Sequence, residues 1–188
     1  MASRTLERPA VDSVDRGYQH LDQCRRIRVG PALTLVFENR QTLWFRMQEL
    51  AGCTRHADAD VRRLHDWYSR LMPSEERLLA AVRFGMPGRR SILNLENLRE
   101  LVADSQLLLR SADGYEIEAT LLSERVRDRL LGLVGWIEFP FTVDDRNALE
   151  TPHRVWRLAI ESEDYHHLSE PLSQSMLRSL LTDLGVGV

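Results

Sequence analysis

An α+β fold built mainly on an antiparallel sheet is what this sequence predicts, on three observations. Short β-branched and aromatic runs are interspersed with amphipathic stretches along the chain. Roughly six strands and five or six helices can be placed, with no regular crossover helix between the strands. Asp113-Gly114 stands between two such runs and supplies the positive-φ positions of a tight hairpin. The 188 residues, 43% hydrophobic and 28% charged, fit a single globular domain at ~150 residues per domain.

The elements follow in order. Residues 1–12 are polar and aperiodic and read as a flexible N-terminus ahead of a domain over 13–188. Ser13 can cap an amphipathic helix through Val14, Tyr18 and Leu21, ending near Arg26, and Gly30-Pro31 breaks the chain. Leu33 to Phe37 is a strand. Arg40 to Leu71 is helical, with Leu43, Met47 and Leu50 on one face and Val61, Leu64 and Tyr68 on another. Gly52, which costs a helix interior about 1 kcal/mol relative to Ala, predicts a bend or break between them, and Pro73 stops the helix. Arg77 to Phe84 is a strand, Pro87 to Arg90 a turn, and Leu95 to Val102 a short helix. Gln106 to Arg110 and Tyr115 to Leu121 form the hairpin. Ser123 to Arg129 reads as helical and Leu133 to Phe141 as a central strand. Thr142 caps a helix over Val143 to Leu149, and Arg154 to Ile160 alternates as a strand. Ser169-Glu170-Pro171 opens a last helix with Leu177, Leu180, Leu181 and Leu184 on its apolar face, ended by Gly185.

Composition narrows the function classes. A net charge of −3 and a pI near 6.1 give no bulk basic field. The clusters Arg25-Arg26, Arg28 and Arg89-Arg90 lack interleaved aromatics, so nucleic acid is not the expected partner. No apolar run reaches the ~18–20 residues of a membrane helix, and Met1 to Gly30 has no apolar signal core. A cytoplasmic protein is expected, with Cys24 and Cys53 unbridged. All 25 basic residues are Arg, which excludes a Schiff-base lysine, a P-loop lysine and a lysine general base. Coding bias explains the absence of Lys more simply than function does.

The densest polar cluster beside a strand end is Phe37-Glu38-Asn39-Arg40, then Thr42 and Gln48-Glu49. A helix N-terminus carrying Asn and Arg is an anion site. Glu38, Arg40 and Glu49 are the candidates for catalysis, and Glu38, Asn39, Arg40, Gln48 and Glu49 for ligand or partner binding. The plainer reading is that Asn39 only caps while Glu38 and Arg40 form a structural ion pair. Glu49 follows Arg40 by nine residues, ~13 Å along a regular helix, so those two cannot touch. Glu49, Cys53, His56 and Asp60 would share a stripe on an unbroken helix and are competent metal ligands. Gly52 interrupts them, and a solvated face is the alternative. His166-His167 reads as a pair of loop histidines, since adjacent residues diverge on a strand or a helix.

The run Arg25-Arg26-Ile27-Arg28-Val29-Gly30-Pro31-Ala32-Leu33-Thr34-Leu35-Val36-Phe37-Glu38-Asn39-Arg40-Gln41-Thr42, followed by Gln48-Glu49, resembles the signature of an uncharacterised bacterial domain-of-unknown-function family. The likeness extends over roughly residues 14 to 185, through Leu71-Met72-Pro73, Leu98 to Val102, the hairpin, Phe139-Pro140-Phe141-Thr142 and the Tyr165 segment. The resemblance implies no activity or cofactor. It implies a redox setting, because members are often encoded near rubrerythrin-like, ferritin-fold di-iron proteins. Departures from the family pattern fall at Arg46 (Gln in relatives), Thr54 (Glu), Gly85 (acidic), Gly135 (a nearby His) and Glu161-Ser162-Glu163 (Asp-His-Pro). Two functions follow as expectations. One is a non-catalytic accessory or partner protein of a redox or biosynthetic enzyme, such as a ferritin-like di-iron protein. The other is a small-molecule enzyme, metal-dependent in one form, with Glu38, Arg40 and Glu49 in its site.

Overall fold

The structure is a computed structural model, and it describes residues 24–31, 33–53, 66, 68–84, 107–128, 132–162 and 165–187. Two antiparallel sheets and the helices around them make an α+β fold. The elements are β1 (Arg26–Val29), β2 (Leu33–Glu38), α1 (Arg40–Cys53), β3 (Arg77–Phe84), β4 (Leu107–Ser111), β5 (Glu116–Glu118), β6 (Thr120–Asp128), β7 (Gly132–Pro140), α2 (Val143–Glu150), β8 (Trp156–Ser162), β9 (Tyr165–Leu168) and α3 (Gln174–Asp183). One sheet has the order β1-β2-β3-β7-β6 and the other β5-β4-β8-β9.

The sheets meet at two corners. After β5 the backbone turns at Ala119, whose amide donates to the Leu107 carbonyl at 2.9 Å, and continues as β6 in the larger sheet. At the other corner Val29 bridges Ser169 beyond the end of β9. The result is a flattened barrel. Alternation sends Leu33, Leu35 and Phe37 of β2, Leu78, Ala80 and Val82 of β3, and Ile137 and Phe139 of β7 inward. There they meet Leu107, Leu109, Trp156, Leu158 and Ile160 of the smaller sheet. Ala148 and Leu149 of α2 and Met176, Leu177 and Leu180 of α3 complete this core. At one end Arg25 is buried, donating from Nε to the Phe37 carbonyl at 2.7 Å and through its other nitrogens to Ser179 and Asp183 of α3. Burial raises the Asp183 pKa against the opposing pull of Arg25.

Several expectations hold. Strands β2 and β3 lie where the runs placed them, and β4 pairs with β5 antiparallel across Asp113-Gly114, with Gly114 at φ 88°. Thr142 caps α2 through a full capping box, accepting from the Asp145 amide at 3.2 Å while Asp145 accepts from the Thr142 amide at 2.7 Å. Gly185, at φ 75°, follows the end of α3. Cys24 is exposed and carries a thiol rather than a disulfide.

Others are corrected. Ser123 to Asp128 is strand, not helix: its backbone pairs with Val134, Leu133 and Gly132 of β7, and register shifts after Leu121 and Ser123 absorb its poor alternation. The run Tyr115 to Leu121 is divided between two sheets at Ala119. Arg26 to Val29 forms an edge strand that its four residues are too short to announce. His166 and His167 lie in β9, paired with Glu161 and Ile160 of β8, and not in a loop. The last helix starts at Gln174 with Ser173 as its cap. Ser169 cannot cap it, because its amide donates to the Leu158 carbonyl and its hydroxyl accepts from the Leu158 amide. The N-terminal residues 1–12, most of the helix from Ser13, the turn at 87–90 and the helix at 95–102 lie outside the described residues. Among the described residues, no helix is long and apolar enough to cross a membrane.

Candidate functional site

The candidate residues sit where β2 passes into α1, and strand parity decides which way each one faces. With Leu35 and Phe37 committed to the barrel interior, Val36 and Glu38 must point to the opposite face of the sheet. Register places Val36 beside Ala81 and Trp136, and Glu38 beside Leu79 and then Glu138. Asn39 ends the strand and caps α1, its Oδ1 accepting from the Gln41 and Thr42 amides, each at 2.9 Å. The Thr42 hydroxyl returns the contact, accepting from the Asn39 amide at 2.8 Å. The two amides that would hold an anion are therefore already occupied by the cap.

Once capped, α1 presents Thr42, Leu43 and Arg46 to the outer face of the sheet, all buried. Arg46 Nη2 lies 2.5 Å from Glu38 Oε1, with side-chain exposures of 1% and 0%. This is a charge contact: neither oxygen of Glu38 receives an aligned hydrogen bond among the described residues. The Arg46 guanidinium also stacks over the Trp136 ring at 5.6 Å, and Tyr68 meets that ring edge-on at 6.3 Å. Burying a carboxylate or a guanidinium alone costs several kcal/mol. The pair, closed over by Val36, Leu43, Leu71, Leu79 and Ala81, offsets that cost by mutual neutralisation and the cation–π contact.

Arg40 goes the other way. It is exposed in the first turn of α1 and lines a surface hollow of about 330 Å³ with Gln41, Trp44 and Phe45. Trp44 is 47% exposed and meets Phe45 edge-on at 5.1 Å. Arg40 has no carboxylate partner among the described residues, so the ion pair expected between Glu38 and Arg40 is instead Glu38 with Arg46. Two residues apart in sequence, Glu38 is closed between α1 and the sheet while Arg40 stands on the solvent side of α1.

Gln48, Glu49 and Cys53 lie on the backbone of α1, beyond the residues whose side chains are described, and His56 and Asp60 fall outside the described residues altogether. Among the described residues, no group of three His, Cys, Asp or Glu side chains stands close enough to hold a metal ion. Arg46, Trp136, Tyr68 and Trp44 are the side chains around this junction that sequence reasoning did not place in the site. Arg46 carried a signal: three residues after Leu43, it falls on the apolar face of its helix.

A second polar cluster lies at the hairpin. Arg154 Nη2 contacts Asp113 Oδ2 at 2.7 Å, and its guanidinium stacks over Tyr115 and Trp156 at 5.4 and 5.9 Å. The Tyr115 hydroxyl donates to Asp145 Oδ1 at 2.7 Å. That hydrogen bond, with burial and the nearby carboxylate charge, pushes the phenol up to about 12. At Asp145 burial acts to raise the pKa, but hydrogen bonds from Thr142 and Tyr115 outweigh it and hold it below the ordinary value. Every charge here has its partner, and the cluster fastens α2 to the hairpin.

Comparison with known proteins agrees with the fold. A family model described as "Protein of unknown function (DUF3501)" matches residues 13–184. A crystal structure of a novel protein of unknown function from Burkholderia pseudomallei superposes with a TM-score of 0.73 at 18% identity, over 92% of this chain and 90% of that one. No protein of curated function matches the chain.

Proposed function

The chain belongs to the DUF3501 family of proteins of unknown function, and from that premise we propose that it is a non-catalytic accessory protein that docks a partner enzyme through the first two turns of α1. The observation that carries this reading is Trp44, a large aromatic left 47% exposed at the wall of a hollow it shares with Arg40, Gln41 and Phe45. Burying a tryptophan is among the largest single gains available to an interface, and such anchors sit in pockets ringed by polar groups. Glu38 gives the reading negative support. A carboxylate with no exposed surface, closed against Arg46, cannot share a substrate with Arg40 on the outer side of the same helix. The redox setting implied by the sequence resemblance makes a ferritin-like di-iron protein the partner to test. Calorimetric titration of such a protein from the same cell into this chain should give a saturable complex, weakened roughly a hundredfold by Trp44→Ala, as for an interface hot spot. A complex of equal affinity with the variant would defeat the proposal.

A further inference from the structure

Resting on that docking reading, we infer that the hollow on α1 takes an acidic segment of its partner, one apolar side chain against Trp44 and Phe45 and a neighbouring carboxylate on Arg40. The argument starts from how arginines are satisfied elsewhere in the molecule. Arg77 holds Glu138, Arg110 holds Glu116 and Glu161, Arg146 holds Glu75, and Arg154 holds Asp113. Among the described residues Arg28, Arg40, Arg70 and Arg178 are exposed and hold no carboxylate, and of these Arg40 lines the hollow.

The placements of Arg28 and Arg40 are related. Arg28 pairs across β1 and β2 with Thr34, and Arg26 with Val36. Directly opposed residues of an antiparallel pair face the same side, so Arg26 and Arg28 stand on the α1 side of the sheet, along its β1 edge. Both are exposed. The level of Arg28 lies four residues before Glu38 on β2, about 13 Å along the strand. Arg28 thus adds a second exposed guanidinium on the α1 side of the sheet, in a chain whose net charge is −3. Because Asn39 occupies the Gln41 and Thr42 amides, an incoming anion is met by the Arg40 guanidinium and not by the helix terminus. Guanidinium favours the bidentate geometry of a carboxylate. A basic or neutral partner would leave Arg40 facing nothing or a like charge, which selects against it.

The test uses the whole chain and two fluorescein-labelled synthetic peptides. One is composed of Asp, Glu, Leu and Phe, and the other has the same order with every acid replaced by its amide. Fluorescence anisotropy should show saturable binding of the acidic peptide. Its affinity should fall roughly tenfold with Arg40→Gln and by at least as much with Trp44→Ala, and it should weaken with added salt. Both substitutions are at exposed positions, and circular dichroism should confirm unchanged folds. Equal binding of the amide peptide, or no binding of either, overturns the inference. So does a concentration-dependent homodimer, detected by sedimentation, that Trp44→Ala dissolves, since the occupant would then be a second copy. If the peptides fail while the di-iron protein titration still depends on Trp44, the docking reading stands and only the acidic chemistry falls. If both fail, both fall.

Discussion

The two faces of the five-stranded sheet bury their side chains by different means. Apart from the buried Arg25–Asp183 pair at one end, the inner face is apolar: Leu33, Leu35, Phe37, Leu78, Ala80, Val82, Ile137 and Phe139 meet the second sheet and helices α2 and α3. The outer face under α1 is a smaller cluster of Val36, Leu43, Tyr68, Leu71, Leu79, Ala81 and Trp136 with the Glu38–Arg46 pair set into it. An apolar core loses stability in proportion to the atoms removed, because each carbon contributes a little. A buried ion pair behaves otherwise. It contributes little net stability while intact, yet removing one partner strands the other charge. Away from Arg25 the inner face is therefore tolerant and additive, and the outer face is intolerant at two positions.

The largest effect should come from breaking that pair. Glu38→Ala or Arg46→Ala should each cost about 3–5 kcal/mol in urea unfolding, whereas Glu38→Leu with Arg46→Met should be neutral or stabilising. If the double variant is as unstable as the singles, the outer face depends on the charges themselves. Next comes Leu35→Ala on the inner face, at about 2–5 kcal/mol by the same measurement, set by how far the cavity can collapse. Thr142→Ala, which removes the capping box of α2, should cost about 1 kcal/mol. Alkaline titration gives a smaller effect. The Tyr115 phenol titrates at about 12 in the fold, above its unfolded value near ~10. Its contribution is present in full below that unfolded value and is lost as pH rises through about 12. Absorbance at the phenolate band should show one tyrosine titrating late, and Asp145→Asn should bring it down. Trp44→Ala should change stability least, within about 0.5 kcal/mol, so loss of partner binding in that variant would not be a folding defect.

How much of this the residues foretold depends on how local the cause is. The hairpin at Asp113-Gly114 and the cap at Thr142 rest on contacts between residues close in sequence, and both appear where the spacing put them. The strand 120–128 does not: Ser123 to Asp128 is charged and poorly alternating, and it is held extended by β7, a partner no local pattern names. The same limit governs the site. Asn39 as a cap was legible from its place before the helix. The turn of Glu38 to the outer face follows from strand parity once the inner face is known, whereas the exposure of Arg40 follows from its place on the solvent side of α1. The choice of Arg46 as the partner of Glu38 needed α1 to lie across the sheet, which brings Trp136 beneath it from a strand almost a hundred residues later in the sequence.

The buried Arg25 has a consequence for the order of events during synthesis. Its guanidinium is held by Ser179 and Asp183, which lie 154 and 158 residues further along the chain, and Val29 finds its bridge only at Ser169. On a translating ribosome β1 can pair with β2 early, but the closure made by Arg25 and Val29 must wait for the C-terminal segment. Until then Arg25 stays hydrated and one end of the barrel stays open, its apolar lining exposed to whatever is nearby. Such long-range closure makes for slow folding. A nascent chain stalled before residue 169 should be bound by chaperones and readily cut by protease, and release past residue 183 should abolish both together.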